Sequence, residues 1–95
     1  MIRHVVMWVL NDPADAGRFA EQLLSCRGIV PGMGAFDVGR RSEALAASAD
    51  VCLVADFADA AALAAYAGHP HHRAVSDRLT PLRRSRTVLD FEVSG

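Results

Sequence analysis

The sequence predicts a single α+β domain built from four strands and two helical regions. Four stretches are rich in branched and aromatic residues and poor in residues that break helices or strands, a composition typical of strands. They lie at residues 2–10, 35–41, 51–57 and 86–93. Apolar residues at helical spacing follow the first strand, and an alanine-rich helical segment follows the third. The resulting order, β-α-β-β-α-β, is the split, ferredoxin-like arrangement, in which helices cover one face of a four-stranded antiparallel sheet.

The first strand, residues 2–10, carries apolar side chains on both faces. Both faces therefore need cover, and the helices of this topology cover only one of them. A second copy of the chain is an ordinary way to bury the other face, so the sequence predicts a homodimer with paired sheets. One face comprises Ile2, His4, Val6, Trp8 and Leu10, and the other Arg3, Val5, Met7 and Val9.

The helices have recognisable beginnings and ends. Asp12 is a good N-cap for the first helix, Pro13 suits its first turn, and Gly28 is expected to cap its C-terminus. Asp59 begins a second helix that runs to about Tyr66. The segment Gly68-His69-Pro70 interrupts this region, and a further helix is expected from Pro70 to about Leu79.

Composition and charge exclude several classes of function. The 95 residues, 52% hydrophobic and 22% charged, fit one globular domain over residues 1–95. The formal net charge of −1 offers no basic surface for nucleic acid or an anionic membrane. No apolar run approaches the roughly 20 residues of a membrane span, and residues 2–10 resemble a strand rather than a signal peptide. We therefore expect no nucleic-acid or membrane partner and a cytoplasmic location.

Two stretches carry a resemblance to a known family. The chain opens with Ile-Arg-His-Val-Val-Met-Trp at residues 2–8, which places a histidine early in the first strand. Residues 66–72 read Tyr-Ala-Gly-His-Pro-His-His, and residues 56–57 and 88–91 read Asp-Phe and Val-Leu-Asp-Phe. This pattern resembles the stress-responsive A/B barrel (Dabb) family, with its Tyr-x-x-His-Pro-x-His segment. The resemblance spans nearly the whole chain and implies a dimeric α+β barrel.

The resemblance also implies a candidate site. In a polyketide cyclase of this family, the tyrosine that opens the segment and the histidine that closes it form the catalytic pair, which match Tyr66 and His72. The early-strand histidine matches His4. The resemblance thus implies a cofactor-independent cyclase or lyase acting on a β-keto or polyketide-like substrate. Leu23 departs from the pattern, because the cyclase has a pocket tyrosine there, and family membership alone does not imply catalysis.

The residue types are consistent with that chemistry. Histidine titrates near neutral pH, so modest burial would leave His72 a neutral general base. Tyr66, on the other side of the helix break, would orient a substrate carbonyl. The alternative is structural: Tyr66 packs in the core and His72 is a solvated helix residue. The remaining candidates, expected to bind a small apolar or aromatic ligand, are His4, Val6, Trp8, Phe19, Leu23 and Val88.

Several alternatives remain open from sequence. The same pocket would serve a non-catalytic ligand-binding or stress-response dimer, and related dimeric barrels include cofactor-independent monooxygenases and haem-degrading proteins. A cavity of about 300 Å³ or more, lined by both catalytic candidates, would favour binding or catalysis over a purely structural dimer.

No metal or cofactor is predicted. Consecutive histidines at 71 and 72, with His69 nearby, do not converge on one ion without a suitable turn. His69 is expected to bond locally and His71 to be exposed, while Cys26 and Cys52 lack zinc or redox spacing and are expected to be reduced core residues.

Charged residues near the last strand have two interpretations. Arg83, Arg84 and Arg86 would either bind an anionic tail, such as a coenzyme A phosphate, or form a solvated loop, which the sequence favours. Asp90 is expected to pair with Arg3.

Overall fold

The sheet of the computed structural model, which describes residues 1–94, has four antiparallel strands in the order β2-β3-β1-β4. Strand β1 lies in the interior of the sheet and pairs with β3 on one side and β4 on the other. The ferredoxin-like fold predicted from the sequence is confirmed. The elements are β1 (Ile2–Leu10), α1 (Ala16–Leu24), β2 (Met33–Arg40), β3 (Val51–Phe57), α2 (Ala60–Gly68), α3 (Pro70–Leu79) and β4 (Arg83–Glu92).

The first helix begins and ends differently from the prediction. The Asp12 side chain caps a short 3-10 turn over Pro13–Asp15 by accepting from the Ala14 N–H at 3.0 Å, and the α-helix starts only after it. The helix ends at Leu24, one turn before Gly28, because the following residues form tighter i→i+3 hydrogen bonds. Gly28 itself has a φ of +71°, which is the left-handed conformation expected of a capping glycine.

The break between α2 and α3 is centred on His69. This residue ends α2 and caps α3 with an extended backbone, at φ −63° and ψ 135°. The following Pro70 disfavours helical backbone at His69 and suits the first turn of the new helix. As predicted, the His69 side chain bonds locally: its Nδ1 accepts from the His71 N–H at 3.0 Å. The redirection places the Tyr66 and His72 rings 4.5 Å apart, centroid to centroid.

The core lies between the helices and the face of β1 that carries the even-numbered residues. Helix α1 contributes Phe19 and Leu23, and α2 contributes Tyr66, which is 1% exposed. The sheet side of the core is formed by Val6, Trp8, Leu10, Phe36, Val51, Leu53, Ala55 and Phe57.

None of the helices described in residues 1–94 is long and apolar enough to cross a bilayer.

The opposite face of the sheet carries an apolar strip. Val5 lies between Val54 of β3 and Leu89 of β4, and Leu89 is 62% exposed. Phe91 and Met7 on the same face are 40% and 44% exposed. This side of the sheet is the one that the sequence predicts to be covered by a second copy.

Two features of β4 correct the sequence predictions. The strand begins at Arg83 rather than Arg86, directly after a 3-10 turn over Thr80–Leu82. Asp90 pairs with His4 instead of Arg3, because the register sets His4 opposite Asp90. Arg3 pairs with Asp56 of β3, donating from Nε and Nη2 at 2.8 and 3.1 Å, and this hydrogen-bonded ion pair lowers the pKa of Asp56.

Two glycines offer a matched test of the backbone argument. A Cβ at Gly28 or at Gly68 would meet no atom within 4 Å, so neither substitution creates a clash. Only Gly28 has a positive φ, whereas Gly68 is helical. We expect Gly28→Ala to lower the free energy of unfolding by about 1 kcal/mol, and Gly68→Ala to raise it by about 0.5 kcal/mol, in urea denaturation. Destabilisation of equal size in both variants would contradict the assignment of a strained turn at Gly28.

Candidate functional site

A cavity of about 300 Å³ opens between the sheet, α1 and α3. Its size is at the lower end of the range of small-molecule sites. Its floor comes from β1 and β3, with further lining from Tyr66 of α2, from α1 and α3, and from the start of β4. The apolar lining includes Val6, Trp8, Leu23, Leu53, Val75 and Leu79, and the polar lining comprises His4, Tyr66, His72, Ser76, Thr80, Arg83 and Arg86.

Most of the candidates predicted from sequence meet at this cavity. The ones on its wall are His4, Val6, Trp8, Leu23, Tyr66 and His72. Phe19 and Val88 do not line it, which corrects their predicted place. The Phe19 ring is fully buried beside Trp8, at 5.2 Å between centroids, and so supports the wall from behind. Val88 pairs with Val6 but lies on the edge strand, where it is 45% exposed.

Tyr66 lines the cavity, and its hydroxyl oxygen is buried. Among the described residues 1–94, no hydrogen-bond partner of suitable geometry reaches this hydroxyl. One polar neighbour is the Cys26 thiol, a weak hydrogen-bonding group whose contact with the hydroxyl falls short of full hydrogen-bond geometry. Burial raises the pKa of Tyr66, and this thiol raises it further. The hydroxyl therefore keeps its proton at neutral pH. A buried donor with only a weak thiol contact is unfavourable, so a ligand oxygen that reached the hydroxyl would stabilise this side chain.

His72 lines the cavity and is held there by a backbone carbonyl. Its Nδ1 lies 3.1 Å from the Ala67 carbonyl oxygen. Because a carbonyl only accepts, Nδ1 carries the proton and Nε2 has the free lone pair. Burial lowers the pKa of His72, the Ala67 bond opposes that change, and unfavourable electrostatic interactions with His4, Arg86 and His69 lower it further. His72 is therefore predominantly neutral at pH 7 and available as a proton acceptor.

His4 is oriented by an acidic partner that sequence analysis missed. The buried imidazole, 7% exposed, hydrogen-bonds through Nδ1 to the Asp90 carboxylate. The ring lies 6.3 Å from the Tyr66 ring, centroid to centroid. The alternation of residues along β4 was visible in the sequence, but the register that pairs Asp90 with His4 was not. The carboxylate fixes the orientation of the imidazole at the base of the cavity.

Two arginines of β4 reach the cavity, contrary to the solvated-loop interpretation. Arg86 pairs with Trp8 of β1, and Arg83 pairs with Leu10. Residues three apart on a regular strand point to opposite faces, but the register shifts between Val9 and Leu10. This bulge brings both arginines to the side of the sheet that faces the helices. Arg84 is not among the residues that line the cavity.

The three histidines near the helix break point to different partners. His69 bonds to the backbone of α3, and His72 bonds to Ala67. His71, predicted to be exposed, is half-buried, and its Nε2 lies 2.9 Å from the Ser25 hydroxyl. Within residues 1–94 there is no group of three or more metal-ligating side chains. The histidines therefore act through separate contacts.

Solved structures with this fold include a dimeric ferredoxin-like protein of unknown function from Thermobifida fusca. It is 25% identical, with a TM-score of 0.86 over 97% of this chain and 90% of that chain. A Dabb family protein from Mesorhizobium loti is 28% identical, with a TM-score of 0.75 over 99% of this chain and 97% of that chain. An antibiotic biosynthesis monooxygenase is 15% identical, with a TM-score of 0.79 over 100% of both chains, and this likeness concerns the fold alone.

Sequence comparison is consistent with these structures. No functionally curated protein sequence matches the chain. A model of the stress responsive A/B barrel domain, abbreviated Dabb, matches residues 2–93. Since this match covers nearly the whole chain, the protein belongs to the stress responsive A/B barrel (Dabb) family.

Proposed function

We propose that this protein is a cofactor-independent cyclase or lyase that acts on a small β-keto or polyketide-like substrate. His72 is the general base, and Tyr66 is the hydrogen-bond donor to the reacting carbonyl. The observation that carries the proposal is that Tyr66 and a neutral His72 line one cavity with their rings 4.5 Å apart, while the buried Tyr66 hydroxyl forms no full hydrogen bond within residues 1–94. Burial of an unsatisfied donor is costly, and it is explained if a substrate oxygen completes the bond.

The chemistry needs only these two side chains. Tyr66 donates its O–H to a substrate carbonyl, and Nε2 of His72 removes a proton from the carbon between two carbonyls. The electron pair of that C–H bond moves to the carbonyl oxygen and forms an enolate. The enolate carbon then attacks a second carbonyl of the same chain, a carbon–carbon bond forms, and the His72 imidazolium returns its proton to the new alkoxide. Because neighbouring carbonyls already acidify the C–H bond, no cofactor is required.

The environment of each group suits its role. The raised pKa of Tyr66 keeps the phenol a donor, while the lowered pKa of His72 keeps the imidazole an acceptor. His4, held by Asp90, adds a polar group near Tyr66. The surrounding wall, with Trp8 and Leu23, offers an apolar surface for the substrate body.

A non-catalytic ligand-binding protein is the second candidate. The observation that favours it is the apolar wall around Leu23, because this side chain supplies no third polar group to orient a reaction. In that case the histidines would set only the polarity of the cavity. Proton-exchange activity that depends on His72 separates the two functions.

We further propose that the protein is a homodimer formed through the apolar strip of the sheet. Met7, Leu89 and Phe91 expose large apolar side chains there, and a contiguous apolar patch is typical of an interface. The structural neighbour from Thermobifida fusca is described as dimeric. A two-fold arrangement of this face would complete the dimeric α+β barrel expected from the sequence.

The cysteines support a reducing environment. Cys26 is buried, Cys52 is half-buried, and both are free thiols. We therefore propose that the protein acts in the cytoplasm, where thiols stay reduced.

Replacing His72 tests the base directly. The readout is enzyme-dependent exchange of deuterium for the C2 hydrogen of ethyl 2-benzylacetoacetate in D2O, followed by NMR and corrected for the spontaneous rate. We expect His72→Ala to lower this rate at least about 10²-fold, because the proton acceptor is lost. In the unmodified protein the rate rises with pH as His72 deprotonates, with a midpoint below the ordinary histidine value of 6.5.

The control for this test is His71→Ala. His71 contacts Ser25 and does not line the cavity, so the exchange rate is expected to stay unchanged. Equal rates in His72→Ala and in the unmodified protein would exclude His72 as the base.

Tyr66→Phe should change activity and stability in opposite directions. The substitution keeps the ring but removes a buried hydroxyl whose contact with the Cys26 thiol is weak. We expect the free energy of unfolding to rise by about 1 kcal/mol, and the exchange rate to fall by about 10²-fold. Urea denaturation and the exchange assay measure the two effects. A loss of stability in this variant would mean that the hydroxyl has a structural partner.

The dimer proposal is tested by placing a charge on the apolar strip. Leu89→Glu buries a carboxylate if this face is an interface, so we expect the dimer to dissociate to monomers in sedimentation velocity. Leu45→Glu is the matched control, since Leu45 is 69% exposed in the connection between β2 and β3. Circular dichroism checks that both variants remain folded. A monomeric unmodified protein at micromolar concentration would refute the proposal.

A further inference from the structure

We propose that the ligand of the cavity carries a carboxylate, which Arg86 binds with assistance from Arg83. This inference rests on the proposed ligand-binding cavity but not on turnover. It narrows the substrate class to an acid whose apolar or aromatic body lies against Trp8 and Leu23. Both arginines line the cavity together with these side chains.

The strand geometry places both arginines on the wall of one cavity. Arg86 pairs with Trp8, whose side chain lies on the cavity floor, and Arg83 pairs with Leu10. The bulge at Val9 and Leu10 compensates for the odd spacing of the two arginines. Irregularities of this kind often redirect side chains beside functional sites. The bulge therefore places both arginines on the side of β4 that faces the cavity.

Neither guanidinium is neutralised by the protein. Within residues 1–94, Arg83 and Arg86 form no ion pair and donate no side-chain hydrogen bond. Other arginines of the chain are engaged: Arg3 with Asp56, Arg18 with Asp15, Arg27 with the Phe36 carbonyl and Arg78 with Gln22.

The cavity wall has charge of one sign. The titratable groups that line it besides Tyr66 are His4, His72 and the two arginines, with no aspartate or glutamate among them. The acidic residue nearest in register, Asp90, is already bonded to His4. A concave surface with cations and no carboxylates favours an anionic ligand and increases its rate of association.

A carboxylate fits this arrangement better than a generic anion. Guanidinium groups bind the two oxygens of a planar carboxylate through parallel N–H donors. A cavity of about 300 Å³ accommodates a small aromatic or polyketide acid. The Arg86 charge also acts on the catalytic candidates, because it contributes to the lowered pKa of His72, although burial is the larger cause. A carboxylate bound at Arg86 would offset that charge.

The test compares two probes that differ only in charge, 2-naphthoate and the neutral 2-naphthamide, by isothermal titration calorimetry on the full-length protein. We expect the unmodified protein to bind naphthoate about tenfold more tightly than the amide, and added salt to reduce this preference. Arg86→Gln should lose the preference while still binding the amide. Arg84→Gln is the matched control, since Arg84 lies on the same strand but not on the cavity wall, and it should keep the preference.

Three further measurements guard against misfolding and identify the anion. Arg86→Lys keeps the charge without the two-pronged geometry, so it should retain only part of the preference for naphthoate. An NMR titration should show that bound naphthoate raises the pKa of His72, and bound amide should not. 2-Naphthyl phosphate should bind no more tightly than naphthoate.

Several results would overturn the carboxylate assignment. They are equal affinity for naphthoate and amide, no measurable binding of either, an equal loss of preference in Arg84→Gln, or tighter binding of the naphthyl phosphate. The outcome is independent of the catalytic proposal. If His72→Ala retains proton exchange while Arg86→Gln loses the naphthoate preference, catalysis by His72 is wrong and the acid-binding site stands. If His72→Ala loses proton exchange while Arg86→Gln keeps the naphthoate preference, the carboxylate assignment is wrong and catalysis by His72 stands.

Discussion

The structure depends on the interior position of β1 in the sheet. Because β1 pairs with β3 and β4, its backbone groups are satisfied on both edges and its side chains alternate strictly between two faces. The even-numbered residues enter the core and the floor of the cavity, with His4 and Trp8 among them. The odd-numbered residues form the apolar strip. One strand thus supports both the proposed site and the proposed dimer, and a one-residue slip would destroy both.

The second organising feature is the helix break at His69 and Pro70. A continuous helix would place Tyr66 and His72 six residues apart, on different sides of the helix. The extended backbone at His69 instead brings their rings into contact, and Ala67 selects the tautomer of His72. The same geometry buries Tyr66 and partly buries His72, and this burial sets their protonation states. Burial keeps the phenol protonated and the imidazole neutral, so the two groups suit donation and proton removal at the same pH.

Positive charge distinguishes this cavity from a plain apolar pocket. Arg86 and Arg83 are on the same side as the histidines, while Asp90 compensates only His4. A ligand that combined an apolar body with an anionic group would match the apolar lining and the charged end together. Such a division of contacts, in which apolar surface supplies affinity and a few polar groups fix orientation, is common in small-molecule sites.

The sequence by itself determined the element order, the ferredoxin-like class, the two-sided β1, the position of the helix break and the group of candidates around Tyr66 and His72. All but the last of these features follow from local rules, such as the alternation of side chains along strands and the effects of proline and aspartate at helix ends. The candidates around Tyr66 and His72 were implied by the resemblance to the Dabb family. Tertiary structure alone decided the register of β4, and therefore the pairing of Asp90 with His4, the pairing of Arg3 with Asp56 and the entry of Arg83 and Arg86 into the cavity. It also decided that Phe19 supports the wall from behind and that Val88 lies outside it. Such contacts join residues far apart in the chain, and a single bulge changes which face they occupy, so no periodicity within one segment encodes them.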